Sequence, residues 1–325
     1  MPHDILHAIC SREGLDATTA RPLPGGQSNH VYLLEGRYVV RLGRGADARR
    51  RLEGEAALLA RLPAEVLAPR IAAGGRLEDW TYQVQPRLEG RPLHHLWTGL
   101  SPETKDTLVA QLAAALRALH AVPVEGYGPA NGADAERHGS WRARCEEAFA
   151  ALVGQLGEVG YALPEAVTAE MARFWAEHAD ALEPSRPSLV HGDIWPGNLL
   201  VEGDRLVAIV DWELAAQAPP DNELLILEHF LLYPNDYVEE DREVYCAADF
   251  ADLALLLAAH YPELLATPRL RERLDLYQLL YILDVHVGWA RAHGTGGGAP
   301  WSLLAKASNV LSAHGVRMFP PVPRT

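Results

Sequence analysis

The sequence is poor in cysteine and has no long apolar run. Its 325 residues include three cysteines, Cys10, Cys145 and Cys246, which lie more than a hundred residues apart. This spacing excludes a disulfide framework and a CxxC metal motif, so a reducing cytoplasm is the simplest location. The most apolar stretch, residues 253–259, is far shorter than the roughly 20 residues of a membrane span. The N-terminus also lacks the basic start and apolar segment of a targeting signal.

Positive charge is scarce as well. The chain has 29 Lys and Arg against 43 Asp and Glu, for a net charge of −14. Such a protein repels phosphate backbones and anionic lipids, which excludes nucleic acid and membrane surfaces as partners. The first 85 residues hold 11 basic and 10 acidic side chains, whereas the rest hold 18 and 33. Residues 219–252 carry ten acids and one base, which predicts either solvated helix faces or a pocket rim that attracts cations.

The pattern of apolar residues changes after about residue 90. Before it, β-rich runs at 29–34 and 37–42 predict a hairpin across Glu35 and Gly36, followed by a helix over 48–62 and a strand over 81–84. After it, helical spacing predominates, with Ser101 and Pro102 forming a typical helix start. The predicted helices cover residues 104–120, 164–182, 223–232, 247–260, 270–292 and 301–313. We therefore predict an α+β protein with a small β-sheet lobe carrying one main helix (residues 1–88) and a larger, mostly helical lobe (residues 89–325).

The most informative segment is residues 188–213. It contains His191-Gly192-Asp193, then Asn198, then Asp211 after two short apolar runs. Pairing Val201 with Leu206 in a hairpin brings the Asn198 end of one strand beside the Asp211 end of the other. An amide oxygen and a carboxylate at one end of a hairpin are suitable ligands for Mg²⁺. Asp193 then lies on the preceding loop, within reach of a substrate hydroxyl, and we interpret His191 as a residue that holds this loop.

The octapeptide His191-Gly192-Asp193-Ile194-Trp195-Pro196-Gly197-Asn198, followed by Ile209-Val210-Asp211, resembles the aminoglycoside phosphotransferase family. That family shares the protein-kinase-like fold with choline, homoserine and fructosamine kinases. The resemblance extends from about residue 21 to 232. It implies a two-lobed kinase-like fold, ATP or GTP with Mg²⁺, and transfer of the γ-phosphoryl group to a hydroxyl of a small molecule. It further implies that Asp193 accepts the hydroxyl proton and that Asn198 and Asp211 hold the metal.

The first lobe contains residues that match the family's nucleotide site. The resemblance places the nucleotide-covering loop at 24–29, with Gly25, Gly26 and Ser28 near the phosphates. The basic residue on the third strand falls at Arg41, because the only lysines are Lys105 and Lys306. Its helical partner is expected to be Glu55, with Glu53 as the competing choice. The interlobe hinge falls at Gln85 and Arg87.

The acidic second lobe favours a cationic substrate, and we expect an aminoglycoside-like antibiotic and a role in antibiotic resistance. The candidate substrate-binding acids are Glu213, Asp221, Glu223, Glu228, Asp284 and those of residues 236–243. For Asp221 and Glu223 a role in holding the catalytic loop remains open. Glu213 also marks a departure, because Asp211-Trp212-Glu213 stands where many kinases have Asp-Phe-Gly.

The same residues are compatible with three other functions. A kinase for another small alcohol, such as an amino alcohol, a sugar, a macrolide or a peptide antibiotic, would use the same core. A nucleotide-binding regulatory protein with a degenerate kinase site is a second alternative. A metal hydrolase that uses His191 and Asp193 is a distant third, because no second histidine lies at ligand spacing. The sequence leaves open the oligomeric state and the choice between ATP and GTP.

Overall fold

An antiparallel sheet occupies the first part of the chain. The computed structural model describes residues 2–23, 29–131, 137–159, 165–238, 244–293 and 310. The strands are β1 (Arg21–Pro22), β2 (His30–Leu34), β3 (Tyr38–Arg44), β4 (Ala73–Leu77), β5 (Trp80–Pro86), β6 (Arg91–Pro92), β7 (Gly128–Pro129), β8 (Ser188–Val190), β9 (Leu199–Glu202), β10 (Arg205–Ile209) and β11 (Ala216–Ala218). The first five form one sheet of order β1-β2-β3-β5-β4.

Helices dominate the later part of the chain. In the described residues they are α1 (Pro2–Glu13), α2 (Gly45–Leu59), α3 (Pro102–His120), α4 (Trp141–Glu158), α5 (Glu165–His178), α6 (Leu224–Leu232), α7 (Ala251–His260), α8 (Pro262–Leu265) and α9 (Leu270–His293). The chain thus has a β-sheet part and a helical part, which confirms the predicted α+β class. The start of α3 is as predicted, because Ser101 caps it by accepting a hydrogen bond from the Thr104 N–H.

The predicted hairpin at the start of the sheet is confirmed. Strands β2 and β3 pair from His30 with Leu42 to Leu34 with Tyr38. Glu35 and Gly36 in the turn have φ angles of 50° and 69°. Left-handed backbone at two successive turn residues suits the twist of antiparallel strands, and glycine adopts it without steric cost.

The two faces of the sheet have different neighbours. Val40, Leu42 and Tyr82 lie on one face and pack with Leu6 and Ile9 of α1 in a buried apolar cluster. Because side chains alternate along a strand, the residues between them lie on the other face, where α2 packs against β3 and β5. Helix α1 was not predicted from the sequence, although it supplies four of the ten buried residues of this cluster.

The described chain packs into two units, each formed from several segments. Unit 1 comprises Met1–Val122, Pro129–Glu136 and Pro196–Ala216, and unit 2 comprises Pro123–Gly128, Arg137–Trp195 and Gln217–Thr325. Unit 1 therefore holds both the N-terminal sheet and a second sheet of order β10-β9-β6. These two units are defined by the packing of the chain. The predicted boundary after residue 88 instead separates a nucleotide-binding lobe from a substrate-binding lobe, and it remains a prediction.

Several predicted helix ends differ from the observed ones. Helix α2 begins at Gly45 and ends at Leu59, three residues earlier at each end than predicted. The predicted helices over 164–182 and 247–260 each contain a short 3-10 segment, Ala179–Leu182 and Ala247–Phe250 respectively. Helix α4 and strand β4 were not predicted. The predicted helix over 301–313 lies outside the described residues except at position 310.

Candidate active site

Unit 1 contains an arginine–glutamate pair between the sheet and α2. Arg41 lies on β3 between the inward-packed Val40 and Leu42, so its side chain points to the opposite face, toward α2. Its Nη1 donates to both carboxylate oxygens of Glu55, each at 2.7 Å. Nε and Nη2 of Arg41 make no hydrogen bond within the described part of the chain, so they can bind a phosphate group. This pairing agrees with the prediction for Arg41 and selects Glu55 over Glu53, whose partners are Arg49 and Arg76.

Negative charge surrounds the Glu55 carboxylate. Burial raises its pKa, and the nearby Arg41 lowers it. Asp211 and Glu213 raise the pKa further, since both carboxylates lie within electrostatic range. The short turn Trp212–Leu214, which contains Glu213, packs against α2. The structure thus brings Arg41, Glu55, Asp211 and Glu213 into one neighbourhood of unit 1.

The hairpin that carries Asn198 and Asp211 has the predicted register. Val201 pairs with Leu206, and the N–H of Val210 donates to the carbonyl oxygen of Asn198 at 2.9 Å. Asn198 is therefore hydrogen-bonded to the residue immediately before Asp211. The amide of Asn198 and the carboxylate of Asp211 supply two oxygen ligands, a set that suits Mg²⁺ when phosphate oxygens and water complete its shell. No group of three or more His, Cys, Asp or Glu side chains that could hold a metal occurs in the described residues.

Asp211 has an unusual backbone conformation. Its φ angle is 67° and its ψ angle 69°, in the left-handed region that non-glycine residues rarely adopt. The next residue fixes this turn, because the fully buried Trp212 donates from its Nε1 to the carbonyl oxygen of Ile209 at 2.8 Å. Such strain persists where surrounding contacts hold it, and it is concentrated at functional sites.

In unit 2, the loop of Asp193 is fixed through its backbone. Glu223, which is 1% exposed, accepts hydrogen bonds from the N–H groups of His191 at 2.8 Å and Gly192 at 2.9 Å. The fully buried His191 accepts the Asp193 N–H at its Nδ1, at 3.2 Å. A ring nitrogen that accepts a hydrogen bond carries no proton, so Nδ1 of His191 is unprotonated. This contact agrees with the interpretation of His191 as a loop-holding residue.

Aromatic side chains lie near Asp193 in the same unit. The pKa values of Tyr237 and Tyr281 are raised, mainly by burial, and the negative charge of Asp193 adds to both shifts. The ring of Tyr237 packs against Trp195 with centroids 5.1 Å apart. The negative charge of Asp236 also raises the pKa of both tyrosines. Sequence reasoning missed the two tyrosines, because an isolated tyrosine in a helix or loop carries no motif.

Three of the acids expected at the substrate site have partners inside unit 2. Asp221 pairs with Arg273 at 2.6 Å and is 2% exposed, and Glu228 pairs with Arg271 at 2.6 Å and is fully buried. With Glu223 bound to the loop, these three carboxylates are occupied by contacts within the protein. The structure thus differs from the expectation of substrate contact and favours the alternative, for Glu223, of holding the catalytic loop. No pattern in the sequence pointed to Arg271 and Arg273 as partners, because they lie 43 and 52 residues away along the chain.

The remaining expected residues fall into three groups. Glu213 and Asp284 are exposed, the latter on α9 near Tyr281. Gln85 is buried near the end of β5, and Arg87 follows that strand and donates to the carbonyl oxygen of Gly36 at 3.3 Å. The loop residues Gly25, Gly26 and Ser28 lie outside the described residues, as do the acids at 239–241 and 243.

A model of the phosphotransferase enzyme family (APH) matches residues 19–266, which is most of the chain. The chain belongs to this family. The match covers all the candidate residues named above except Asp284. It supports a phosphotransferase that acts on a small molecule, and it confirms the resemblance found in the octapeptide.

Solved structures of aminoglycoside phosphotransferases have the same fold as this member of the family. The GDP complex of aminoglycoside 2′-phosphotransferase-IIIa matches with a TM-score of 0.68 and 17% identity, over 95% of this chain and 96% of that one. A thermostable variant of APH(4)-Ia bound to AMP-PNP and hygromycin B matches with a TM-score of 0.67 and 20% identity, over 94% and 97%. The streptomycin–ATP–APH(2″)-IIa complex matches with a TM-score of 0.64 and 17% identity, over 95% of each chain. These matches confirm the two-lobed, kinase-like fold.

No curated protein matches the chain. None of the helices in the described residues has the length and apolar character that a membrane crossing requires.

Proposed function

We propose that this protein transfers the γ-phosphoryl group of a nucleoside triphosphate to a hydroxyl of a small cationic molecule, and that an aminoglycoside-like antibiotic is the substrate class. The observation that carries the proposal is the fixed backbone around three motif residues. Asp193 lies on a loop whose two preceding N–H groups bind Glu223, and Asn198 is hydrogen-bonded to the neighbour of Asp211. Phosphoryl transfer depends mostly on positioning and charge neutralisation, which such rigid loops provide.

Each residue of the motif has a role in this reaction. Asp193 orients the acceptor hydroxyl and takes its proton as the new oxygen–phosphorus bond forms. The bond from the γ-phosphorus to the leaving nucleoside diphosphate breaks, and the diphosphate departs with the bond electrons. Asn198 and Asp211 are the residues that would hold Mg²⁺, which neutralises phosphate charge when bound. Arg41, held by Glu55, directs its Nε and Nη2 to phosphate oxygens, and its planar group can bind two of them at once.

A cationic substrate is supported by the acids near Asp193. The charge of Asp236, like that of Asp193, raises the pKa of both Tyr237 and Tyr281. The charge of Asp284 raises the pKa of Tyr281. Asp284 is exposed, and Asp236 is about half exposed. One exposed ion pair contributes only about 0–1 kcal/mol, whereas hydrogen bonds to charged groups contribute about 1.5–3 kcal/mol each. Several such contacts are needed to select an amino-group-rich substrate, and this group of carboxylates supplies them.

A small amino alcohol is the second candidate substrate. The observation in its favour is the aromatic character of the same neighbourhood, where Tyr237 contacts Trp195 and Phe230. Aromatic rings attract organic cations through their negative faces, most strongly where water is excluded. An amino alcohol would use the rings, whereas an aminoglycoside would use the exposed carboxylates.

The experiment is a screen of acceptor-dependent ATP and GTP consumption with aminoglycosides, amino alcohols, sugars, macrolides and peptide antibiotics. We expect turnover with aminoglycosides, and replacing Asp193 by Asn is expected to reduce that turnover by about 10²–10⁴-fold, because the proton acceptor is lost. The matched control is Asp204→Asn in the exposed turn between β9 and β10, which should retain full activity. Near-wild-type turnover by the Asp193→Asn variant would contradict the mechanism, and activity confined to another class would replace the proposed substrate.

A further inference from the structure

Two glutamines on β5 lie buried on the face of the sheet that carries Arg41. Gln83 pairs with Arg41 across β3, and Gln85 pairs with Val39. Gln83 is 2% exposed and Gln85 is 9% exposed. Directly paired residues of antiparallel strands share a face, so both amides lie on the face that α2 partly covers, away from α1. Successive residues of one face are about 7 Å apart, which places Gln85 one such step beyond the Arg41 position.

The first of these amides has a fixed orientation. Nε2 of Gln83 donates to the carbonyl oxygen of Leu52 in α2 at 2.5 Å. A backbone carbonyl can only accept, so the amino group of Gln83 must point to α2. Its Oε1 therefore points away from α2 and is available only to a donor.

The second amide is oriented by the first. Nε2 of Gln85 lies 3.5 Å from Oε1 of Gln83 and donates to it. This leaves Oε1 of Gln85 without a hydrogen-bond donor in the described part of the chain. An amide oxygen only accepts, so this oxygen is open to a donor from a ligand.

We infer that Oε1 of Gln85 accepts a hydrogen bond from the exocyclic amino group of adenine and thereby selects ATP over GTP. This inference rests on the proposed function, which places the triphosphate beside Arg41 on the same face. Adenine presents an amino group at the position where guanine presents a carbonyl oxygen. Guanine would therefore place one acceptor against another, which leaves both oxygens without a donor and is unfavourable.

The orientation of the pair prevents an easy adaptation to guanine. If the Gln85 amide rotated to present its amino group to guanine, its oxygen would face Oε1 of Gln83. Gln83 cannot rotate in turn, because its oxygen would then face the carbonyl oxygen of Leu52. Selection of the base by Gln85 thus depends on a positioning residue, Gln83, and on the backbone of α2.

Equilibrium binding of ATP, GTP and ITP to the full chain, measured by calorimetry with Mg²⁺, tests this inference without any acceptor. ITP has the 6-carbonyl oxygen of guanine but lacks the 2-amino group. We expect ATP to bind about tenfold more tightly than GTP, the equivalent of about one hydrogen bond, and ITP to bind as weakly as GTP. A preference for GTP, or equal binding of ATP and GTP, would overturn the inference.

Two variants separate the roles of the glutamines. Gln85→Leu should bring the ATP-to-GTP affinity ratio to within about threefold of unity by weakening ATP. Gln83→Met should lower the ratio by strengthening GTP, because the Gln85 amide can then rotate. The matched control is Gln155→Leu in unit 2, which should leave the ratio unchanged, and thermal unfolding checks that each variant is folded.

The results also separate this inference from the proposed function. An unchanged ratio in Gln85→Leu would overturn base selection by Gln85 while leaving phosphoryl transfer intact. If neither ATP nor GTP binds, both the inference and the proposed function are wrong.

Discussion

Each unit of this protein contains an arginine that pairs with a buried carboxylate, and the two arginines differ in how their donors are used. In unit 2 Arg273 is 2% exposed and uses all three nitrogens, binding Asp221, the carbonyl oxygen of Ala181 and the hydroxyl of Ser185. In unit 1 Arg41 is 18% exposed and uses only Nη1, on Glu55. An arginine whose donors are all bound within the protein stabilises the fold, whereas one with unbound donors can bind a ligand.

The same criterion explains why the acids of the second half divide into two groups. Arg271 binds Glu228 through Nη1 and Nη2, and it binds Asp275 through Nε and Nη2. The buried carboxylate of Glu228 therefore stabilises the fold. Asp236 and Asp284 instead have exposed carboxylates, and Nε2 of the buried His229 lies 3.4 Å from that of Asp236. Composition shows the total charge of the acidic half, but only the contacts show which carboxylates are already occupied.

The largest expected effect comes from breaking the buried pair of unit 2. Asp221→Asn leaves the Arg273 guanidinium buried without its counter-charge and weakens the hydrogen bond from the Tyr277 hydroxyl. Removing one partner of a buried ion pair costs about 3–5 kcal/mol. We expect a loss of this size in the free energy of unfolding measured with urea, and a change below about 1 kcal/mol would show that the pair is not structural.

An apolar replacement of both partners sharpens this test. Asp221→Leu combined with Arg273→Met removes both charges and keeps most of the volume. The double variant should be more stable than Asp221→Asn, because a buried uncompensated charge is worse than none. Equal losses would mean that packing around the pair, and not its charge, determines the stability.

The next largest effect is a pH-dependent loss of stability when the Arg41–Glu55 pair of unit 1 is broken. Arg41→Gln removes the cation that lowers the pKa of Glu55, so this pKa, already raised by burial, rises further in the variant. Because the folded-state pKa then lies above the unfolded value, stability is retained at low pH and lost as the pH rises through the folded pKa. We expect a deficit of about 1–3 kcal/mol at pH 8, from the lost charged hydrogen bonds, and almost none at pH 4.

Unfolding curves at several pH values check this expectation. The control is the double variant Arg41→Gln with Glu55→Gln, in which no buried carboxyl titrates at this position. The loss of unfolding free energy in the double variant, relative to wild type, should not increase with pH, whereas the loss in Arg41→Gln should. A deficit in Arg41→Gln that is constant from pH 4 to pH 8 would contradict the raised pKa of Glu55.

The smallest effect is on thiol reactivity, with one buried cysteine in each unit. Burial raises the pKa of Cys10 to about 11 and raises that of Cys145 well above its usual range, whereas Cys246 is exposed. A thiol whose pKa is raised is almost fully protonated at pH 8, and a protonated thiol is a poor nucleophile. We expect one of the three thiols to react with a disulfide reagent at pH 8 in the native protein and all three in denaturant.

Cys145 then reports on the buried pair of unit 2, because Arg273 and Asp221 act on it electrostatically. In Asp221→Asn its reaction should be at least tenfold faster than in wild type, while in Arg41→Gln it should be unchanged. Equal acceleration of Cys145 in both variants would contradict a separate role for the two pairs.

The sequence predicted most of the local structure around the site. The register of Val201 with Leu206 follows from two apolar runs around a tight turn, and it accounts for the hydrogen bond between Val210 and Asn198. The cap at Ser101 and the turn at Glu35 and Gly36 are also local. Helix α1 was missed because no capping residue or motif marked it, although its apolar residues form part of the core of unit 1.

By itself, the sequence indicated the family, the α+β class, and the motif that contains Asp193, Asn198 and Asp211, because motif spacing and strand register act over short distances along the chain. The choice of Glu55 over Glu53 as the partner of Arg41 came from the structure. Only the tertiary structure decided which carboxylates are occupied. Arg273 lies 52 residues from Asp221, and no periodicity connects residues at that separation. The orientation of Gln85 was likewise fixed by Leu52 through Gln83, since a hydrogen bond depends on which groups meet in space. The scarcity of cysteine and of positive charge limited the classes of partner that the sequence allows, while the packing of individual arginines determined which acids are held in contacts within the protein.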